Sequence, residues 1–374
     1  LVELADRLDG LPLALELAAA RLSTMSIDEL LEQLDDQLLG LESTRRGTEE
    51  RHRSLAGVVE WSYNLLDNDA RRAVQRLSVF PSTFTRESAE RVMDSTDRAM
   101  LDRLLNDSLV TITERDGGAR FLMLEMIRQF CGEKLEDSGE AAAARRAQGE
   151  WVVETMVELT DLTRGADAAV HRQRLVAELE NVRVALAWAA DEQEVDYLVQ
   201  LARGLHDHMV GAAGREVHVW LERAVSAVWN DPDAMDVLVV GADAAMTRGD
   251  IDRYREILER HDHLLEVNPE PRIIPGPGHL FLGHQLHWIA LLIFEGKVEE
   301  AVELADTVAE VEAGDPWSRW WSLMRLSMPY AYAGQDEKAA DFASRAVEVA
   351  ENTGNSLAIC WTRFCLGEAL RSLE

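Results

Sequence analysis

Apolar side chains recur every three or four residues along most of the chain, which is the spacing that puts them on one face of an α-helix. In the segment 12–22, for example, Leu13 and Leu17 belong to one such stripe. Gly10 precedes this segment and Pro12 opens it, as expected where one helix ends and another begins. Because the same spacing continues to the last residues, it predicts a mainly α protein.

A short region breaks this helical period. Residues 108–114 and 119–124 are rich in β-branched and aromatic side chains, and Asp116, Gly117 and Gly118 between them form a turn sequence. Three helices are predicted upstream of this β-hairpin. Three helices followed by a hairpin is the order of elements in a winged-helix domain, so we predict such a domain here.

The last part of the chain repeats a short motif in which an alanine, or a residue in its place, lies five positions after a glycine. The copies are Gly296 with Ala301, Gly334 with Ala339, a looser Gly249 with Tyr254, and a still looser Gly214 before residues 220–224. A glycine suits the tight turn between two helices, and a small residue lets the second helix pack close. Since one such hairpin cannot bury its own apolar face, we predict a stacked α-solenoid of tetratricopeptide-like hairpins.

These patterns divide the chain into three predicted parts. They are a small helical part at 1–44, the winged-helix domain at 45–140, and a helical linker with the repeats at 141–374. The two boundaries lie at polar or glycine-containing stretches, near Gly47 and Gly139.

Composition and charge narrow the range of possible functions. Lys and Arg number 38 against 68 Asp and Glu, for a net charge of -30, which repels a phosphate backbone and disfavours direct DNA binding. Three cysteines without a C-x-x-C spacing indicate neither a disulfide framework nor a zinc site, and they favour a reducing, cytoplasmic location. The longest apolar run, residues 288–294, is too short to cross a membrane. The missing initiator Met and the abrupt end within a helix suggest a piece of a longer protein.

No motif for catalysis or metal binding stands out. The chain lacks the G-x-x-x-x-G-K-[ST] phosphate loop, since its only Gly-Lys pair begins at Gly296, inside a repeat. We therefore predict that this chain is not an enzyme and has no ATPase activity of its own. His206, His208, His261 and His263 are predicted to lie on the surface, and no helix face shows enough ligands for a metal.

Motifs in a fixed order resemble a known family. They are 10–14 (GLPLA), 51–55 (RHRSL) with 61–63 (WSY), 77–80 (LSVF), 121–125 (FLMLE) with 127–130 (IRQF), and 179–181 (LEN). In this order they resemble the C-terminal part of bacterial STAND-class ATPases, which are relatives of the NB-ARC apoptotic ATPases. The module is common in actinobacterial transcriptional regulators of the LuxR and SARP type, and the resemblance covers essentially the whole chain.

The resemblance implies a nucleotide site that this chain would complete only within a longer parent protein. There Gly10, Leu11 and Pro12 would lie against the adenine of ATP or ADP, bound with Mg²⁺. At the position of the family's MHD motif, Leu124 replaces the histidine and cannot bond a phosphate, whereas Glu125 replaces the aspartate and is a further candidate for the nucleotide site of the parent. The chain by itself is expected to need no cofactor.

The repeats are the predicted partner-binding element, for either a protein or a small-molecule effector. Aromatic and basic side chains gather on the first helices of the last two hairpins, a composition typical of binding hot spots. The candidates are His284, His287, Trp317, Trp320, Trp321 and Arg325. At the end of the chain an apolar stripe has no following helix to cover it, which predicts further repeats or self-association through that end. The stripe consists of Leu357, Trp361, Phe364 and Cys365.

The favoured interpretation is a regulatory fragment of a signal-transduction ATPase that controls transcription. Its repeats would bind the effector, and its winged helix would relay the nucleotide state. Two alternatives stay open at this point, a free-standing tetratricopeptide-type scaffold and a DNA-binding winged helix. The second needs a basic recognition helix, but residues 97–107 set Arg98 and Arg103 against three aspartates.

Overall fold

The computed structural model describes most of the chain. The described residues are 12–22, 25–27, 29–31, 57–95, 98–115, 118–209, 215–270, 272, 283–309, 315–371 and 373. Within these ranges every regular element is a helix except for one two-stranded antiparallel sheet, which confirms the predicted mainly α fold. The chain forms two compact units, Leu1–Trp151 and Val152–Glu374, while the three-part division of the sequence stays a prediction.

The described part of the first unit consists of helices and the β-hairpin, and that of the second unit consists of helices. The elements of the first unit are α1 (Pro12–Arg21), a helical stretch at 57–64, α2 (Asn68–Leu77), α3 (Arg86–Met93), α4 (Arg98–Asn106), β1 (Thr111–Arg115), β2 (Gly118–Leu122), α5 (Glu125–Ser138) and the first part of α6 (Ala141–Leu162). The second unit contains the rest of α6, then α7 (Ala168–Asp191), α8 (Val195–Met209), α9 (Arg215–Ala227), a 3-10 turn (Pro232–Ala234), α10 (Met235–Arg248), α11 (Ile251–Val267), α12 (Gly283–Phe294), α13 (Val298–Val308), α14 (Pro316–Tyr332), α15 (Asp336–Thr353) and α16 (Ser356–Arg371). None of the described helices has both the length and the apolar character needed to cross a bilayer.

Side-chain caps start two helices of the winged-helix region. Before α2, the Asp67 carboxylate accepts a hydrogen bond from the Ala70 N–H at 2.9 Å. At the start of α3, Thr85 and Ser88 form a reciprocal capping box. Each cap satisfies backbone N–H groups that have no partner inside the helix.

The predicted β-hairpin forms with a slightly different extent. β1 and β2 pair antiparallel with Thr111 opposite Leu122, so the first strand does not begin at residue 108 as predicted. Ser108 adopts a left-handed φ of 57°, and the N–H of Leu109 bonds back to the Leu104 carbonyl at 3.0 Å. The residues before Thr111 therefore close α4 instead of joining the sheet.

Aromatic rings join the hairpin to the helices that precede it. Phe84 and Phe121 exchange backbone hydrogen bonds of 2.9 and 2.8 Å, which adds a short third extended segment. The Phe84 ring stacks on Phe80 with centroids 4.7 Å apart, and all three side chains are buried. These contacts hold the hairpin against the segment that follows α2.

A buried arginine attaches α1 to this region. Arg21 is 6% exposed, and it donates to the Asp107 carboxylate at 2.8 Å and to the Ser62 carbonyl at 3.1 Å. Burial lowers the pKa of Arg21, and the charge of Asp107 opposes that shift. Because an unpaired buried charge is costly, these contacts hold the end of α1 in place.

The glycine repeats form helical hairpins, each of two helices joined by a tight turn, in the second unit. Gly249, Gly296 and Gly334 follow α10, α12 and α14 with φ values of 74°, 76° and 68°, a backbone conformation that favours glycine. The residues five positions later are Tyr254, Ala301 and Ala339, all 0% exposed. The predicted hairpins are thereby confirmed, while the copy at Gly214 lies outside the described residues.

Successive hairpins share one apolar core. α12 packs against α10 and α11 before it and against α14 after it, and α16 packs on α14 and α15. The core that runs from α12 to α16 includes Leu286, Trp320 and Tyr330 together with many alanines. On α16 itself, Trp361 and Phe364 are 43% and 63% exposed.

Gly241 makes a close crossing between α9 and α10. A Cβ added at Gly241 would lie 2.3 Å from Cγ2 of Val225, and the β-branched Val225 is fully buried with little freedom to turn away. We expect Gly241→Ala to lower the free energy of unfolding by about 1–3 kcal/mol, the usual cost of overpacking, even though alanine is the better helix former. Urea unfolding followed by circular dichroism measures the change.

The double variant Gly241→Ala/Val225→Ala is the matched control for this prediction. Because it removes the clash, its loss of stability should be smaller than the sum of the two single losses. Strictly additive losses would show that the contact between residues 225 and 241 does not limit how closely α9 and α10 pack.

Candidate ligand site in the helical array

An aspartate lies inside the core of the second unit. Asp243 belongs to α10, stands between buried apolar residues and is itself 5% exposed. An ionised carboxylate in such surroundings is stable only with charged or hydrogen-bonding partners. Three other helices supply them.

Three basic side chains converge on the Asp243 carboxylate. Nη2 of Arg325, on α14, donates to Oδ1 at 2.8 Å. Nε2 of His206, on α8, lies 3.4 Å from Oδ2, and Nε2 of His287, on α12, lies 3.9 Å from Oδ1. The carboxylate therefore connects four helices that are distant along the chain.

Tyr254 of α11 extends this Asp243 cluster. Its hydroxyl lies 2.9 Å from Nδ1 of His287 and 2.7 Å from the His287 carbonyl. Since Tyr254 is fully buried, these contacts satisfy a hydroxyl that would otherwise be costly to bury. They also hold the His287 ring in a fixed orientation beside Asp243.

The protonation states follow from burial and from the neighbouring charges. Burial alone would raise the pKa of Asp243, but the hydrogen bond from His206 and the charge of Arg325 outweigh it and leave the pKa below its ordinary value. Burial, with Arg325, lowers the pKa of His287 well below its ordinary value. Burial raises the pKa of Tyr254. At neutral pH the cluster thus holds a charged Asp243–Arg325 pair beside a neutral imidazole and a neutral phenol.

An apolar cavity adjoins the Asp243 cluster. It has a volume of about 350 Å³, and Asp243, Trp321 and Arg325 are among the residues that line it. The apolar wall includes Met246, Ile289, Ile293, Met324, Met328 and Trp361. An apolar cavity of this size with a few placed charged groups is typical of small-molecule sites.

The cavity is open to solvent and its wall is adaptable. Met328 and Trp361, which line it, are 38% and 43% exposed, and methionine side chains adjust readily to a ligand. The Arg325 guanidinium lies 5.1 Å from the centroid of the Trp321 ring, an attractive cation–π arrangement. The site can therefore take up an apolar ligand with a polar group directed at Asp243 and Arg325.

Three of the predicted partner-binding residues meet at this site. Trp321 and Arg325 line the cavity, and His287 belongs to the Asp243 cluster. The prediction grouped them because aromatic and basic side chains gather on the first helices of the last two hairpins. The structure adds that Arg325 pairs with a carboxylate, so it does not project from an exposed hot spot.

The other three predicted partner-binding residues lie elsewhere. Trp320 is 1% exposed and is part of the core, with Trp317 packed edge-on against it at 5.1 Å between ring centroids. His284 is 8% exposed and contacts Asp262. Trp320 and His284 thus offer almost no surface, and the partner-binding role of the whole set stays a prediction.

The prediction that four histidines lie on the surface is wrong for two of them. His206 and His261 are 5% and 6% exposed, because neighbouring helices cover the faces that carry them. The side chain of His263 is 57% exposed, as predicted. The side chain of His208 lies outside the described residues.

The sequence analysis assigns no site role to Asp243, His206 or Tyr254. For Asp243 a signal is nevertheless present, since it is the one charged residue in the otherwise apolar run 237–246. A lone acidic residue in such a run indicates burial with a partner. Nothing in the run indicates which basic side chains supply that partner.

The residues that the resemblance assigns to a nucleotide are described only in part. Gly10 and Leu11 lie outside the described residues, and Pro12 is the exposed first residue of α1. Glu125 opens α5 and pairs with Arg128 at 2.7 Å, and this hydrogen bonding lowers the pKa of Glu125. A role of these residues in nucleotide binding stays a prediction.

The arginines of α4 bear on direct DNA binding. Arg103 pairs with Asp67 at 2.6 Å, and Arg98 lies 3.6 Å from Glu90. The hydrogen bond to Asp67 raises the pKa of Arg103. Both arginines are thus engaged by carboxylates of the same unit, which compete with any phosphate contact.

A family comparison confirms the winged-helix prediction. The model of the family described as a winged helix-turn-helix domain matches residues 66–136. This range contains α2, α3 and α4, the β-hairpin and most of α5. The chain thus contains a winged helix-turn-helix domain.

Relatives from mycobacteria align with parts of the chain. A protein of Mycobacterium tuberculosis strain H37Rv named as an HTH-type transcriptional regulator is 34% identical over 221 residues, which are 56% of this chain and 24% of that protein. A second protein of the same strain, of uncharacterized function, is 35% identical over 148 residues, which are 38% of each chain. The predicted similarity to transcriptional regulators is thereby confirmed, and the chain spans about a quarter of the length of the regulator that it matches.

A solved structure was also found to align with the chain. It is the STAND protein with a tetratricopeptide repeat sensor from Pyrococcus horikoshii, which aligns over 96% of this chain and 56% of its own, with 16% identity and a TM-score of 0.45. Because the TM-score is below 0.5, we draw nothing further from this alignment.

Proposed function

We propose that this chain is the regulatory part of a STAND-type ATPase that controls transcription, and that its helical array binds a small apolar effector in the cavity beside Asp243. The observation that carries the proposal is the buried Asp243–Arg325 pair next to an open apolar cavity of about 350 Å³. A ligand there would contact α10, α12, α14 and α16 at once. Binding would therefore favour one packing of the hairpins over others.

The winged helix-turn-helix domain and the relative named as a transcriptional regulator support the transcriptional part of the proposal. The nucleotide state would be set by a phosphate loop elsewhere in the parent protein, because this chain lacks that loop. ATP or ADP with Mg²⁺ would be the parent's cofactor, with Gly10, Leu11 and Pro12 against the base. A cytoplasmic location belongs to the same proposal.

The two alternatives have less support. A free-standing scaffold accounts for the hairpins but not for the Asp243 cluster, since apolar residues of similar volume would stabilise a core as well or better. Direct DNA binding by α4 is opposed by the net charge of -30 and by the carboxylates that engage Arg98 and Arg103.

Filling the cavity tests the ligand-binding part of the proposal. Ala290 lines the cavity and is half-buried, so Ala290→Trp should occupy part of its volume. We expect the neutral dye Nile red to bind the wild-type chain with a rise in fluorescence, and Ala290→Trp to weaken that binding at least about tenfold, or 1.4 kcal/mol. Ala331→Trp, at an exposed position of α14 outside the cavity lining, is the matched control. Equal dye binding by both variants would contradict the assignment of the cavity.

Transcript sequencing tests the regulatory part in the organism that carries the gene. A strain that lacks the gene would be complemented with the wild type, Ala290→Trp or Ala331→Trp. We expect Ala331→Trp to restore the altered transcripts and Ala290→Trp to fail. If deletion alters no transcript, the regulatory role is wrong, whereas full restoration by Ala290→Trp would exclude only the role of the cavity.

A further inference from the structure

A second polar cluster lies between α11 and α12. His261 and Asp262 are consecutive on α11, and His284 is on α12. One donor atom of each side chain lies within 4.8 Å of the other two. Nε2 of His284 is 2.5 Å from Oδ1 of Asp262, and the rings of His261 and His284 stack with their centroids 3.8 Å apart.

Both histidines are buried, and their hydrogen bonding is incomplete. His261 and His284 are 6% and 8% exposed, and Nδ1 of each ring has no hydrogen-bond partner among the described residues. Buried polar atoms without partners are rare because they are costly, so such a pair calls for an explanation. Burial lowers the pKa of His261 to about 3 and that of His284 to about 4. At pH 7 both rings are therefore neutral, and each can offer one nitrogen to a ligand while its proton is on the other nitrogen.

We propose that His261, Asp262 and His284 bind a divalent transition-metal ion of the Zn²⁺ class. Two imidazoles and one carboxylate form a donor set that suits Zn²⁺ and its first-row neighbours, whereas Mg²⁺ and Ca²⁺ prefer oxygen ligands alone. Three protein ligands leave a coordination position for water or a further ligand.

Rotation of the His261, Asp262 and His284 side chains would be needed to complete this site. Two donors on one tetrahedral Zn²⁺ lie about 3.3 Å apart, so the close contact of 2.5 Å between Oδ1 of Asp262 and Nε2 of His284 would open as the metal takes the place of the proton between them. The His284 ring would stay neutral by carrying its proton on Nδ1, the nitrogen that has no hydrogen-bond partner among the described residues. The stacked rings of His261 and His284 would rotate out of their parallel arrangement, because a metal ion binds a ring nitrogen in the plane of that ring. The Asp262 side chain is 48% exposed, which gives the ion a path from solvent. Asp236, the next carboxylate whose charge acts on His261, is hydrogen-bonded to Arg203.

The proposed metal site is separate from the apolar cavity but shares a helix with the Asp243 cluster. His284 and His287 lie one helical turn apart on α12. A metal bound to His284 would join α12 to α11 and would fix the helix that also carries His287. The proposed metal site does not depend on the proposed regulatory function, so either proposal can be wrong while the other holds.

Zn²⁺ titration of the full chain by isothermal calorimetry tests the site, with Mg²⁺ in excess to occupy the exposed carboxylates. We expect the wild type to bind a single Zn²⁺ ion under these conditions. Asp262→Asn keeps the side-chain shape but removes the charged donor, and it should weaken Zn²⁺ binding at least about 100-fold, the upper end of the loss seen when even an outer-shell partner is removed. His261→Gln should have the same effect.

His263→Gln is the matched control, because His263 lies on the same helix but has an exposed side chain outside the cluster. Its Zn²⁺ affinity should equal that of the wild type. Circular dichroism checks that each variant is folded. If His261→Gln does not fold, the test rests on Asp262→Asn, whose substituted side chain is half-exposed. A wild-type chain that binds no Zn²⁺ in excess Mg²⁺, or an Asp262→Asn variant that binds as tightly as the wild type, would overturn the proposal.

Discussion

Asp243→Leu is expected to lower the free energy of unfolding by about 3–5 kcal/mol, the usual cost of leaving a buried charge without its partner. The change removes the carboxylate that accepts from Arg325 at 2.8 Å, so the guanidinium remains in the core uncompensated. Leucine fills a similar or larger volume, so the loss does not come from a cavity. Urea unfolding followed by circular dichroism measures the change.

Two further variants show whether the loss comes from the broken pair. Asp243→Leu/Arg325→Met removes both charges, and it should be more stable than Asp243→Leu alone, because apolar residues can replace a buried pair at little cost. Glu351→Gln breaks the exposed ion pair with Arg363, 2.6 Å long, and should change stability by less than about 1 kcal/mol. If Asp243→Leu costs no more than Glu351→Gln, the buried pair does not stabilise the array.

Acidification is expected to destabilise the second unit in a pH range where few carboxylates titrate. The folded-state pKa is about 3 for His261, about 4 for His284 and well below the ordinary value for His287, whereas an unfolded histidine has a pKa near 6.5. Below that value the unfolded chain binds protons that the folded chain does not. Stability is therefore complete above pH 6.5 and falls by about 1.4 kcal/mol per pH unit for each of these histidines as the pH drops towards their folded values.

His261 and His284, with folded pKa values of about 3 and about 4, together predict a slope of roughly 3 kcal/mol per pH unit between about pH 6 and pH 4.5, and His287 acts in the same direction. His218, whose pKa burial also lowers, acts in the same direction. The measurement is urea unfolding at stepped pH with a chelator present. His284→Gln should reduce the slope by about 1.4 kcal/mol per pH unit, while the exposed His263→Gln should leave it unchanged. A stability that is flat from pH 6.5 to pH 4.5 would show that these rings take up protons in the folded chain.

Local structure could be predicted from the sequence because it depends on a few consecutive residues. Asp67 and Thr85 cap helices through hydrogen bonds to N–H groups three positions later. Gly296 and Gly334 turn the chain because a positive φ favours glycine. The winged-helix order follows from the same kind of signal, as three helical periods and a hairpin succeed one another.

Exposure was harder to predict, since the helical period identifies an apolar stripe but not the helices that cover the remaining faces. His206 and His261 look like surface residues when each helix is considered alone, yet both are buried. Strand β1 starts at Thr111 because the preceding residues bond back to α4, a competition that strand propensity does not reveal.

The sequence by itself thus determined the mainly α fold class, the winged-helix order, the hairpin repeats and the absence of a phosphate loop from this chain. Only the tertiary structure shows which residues come together in the two candidate sites. Asp243 and Arg325 are 82 positions apart, and Asp262 and His284 are 22 positions apart on different helices. Their convergence depends on the stacking of the hairpins, which is set by packing free energy summed over the whole array rather than by any local pattern.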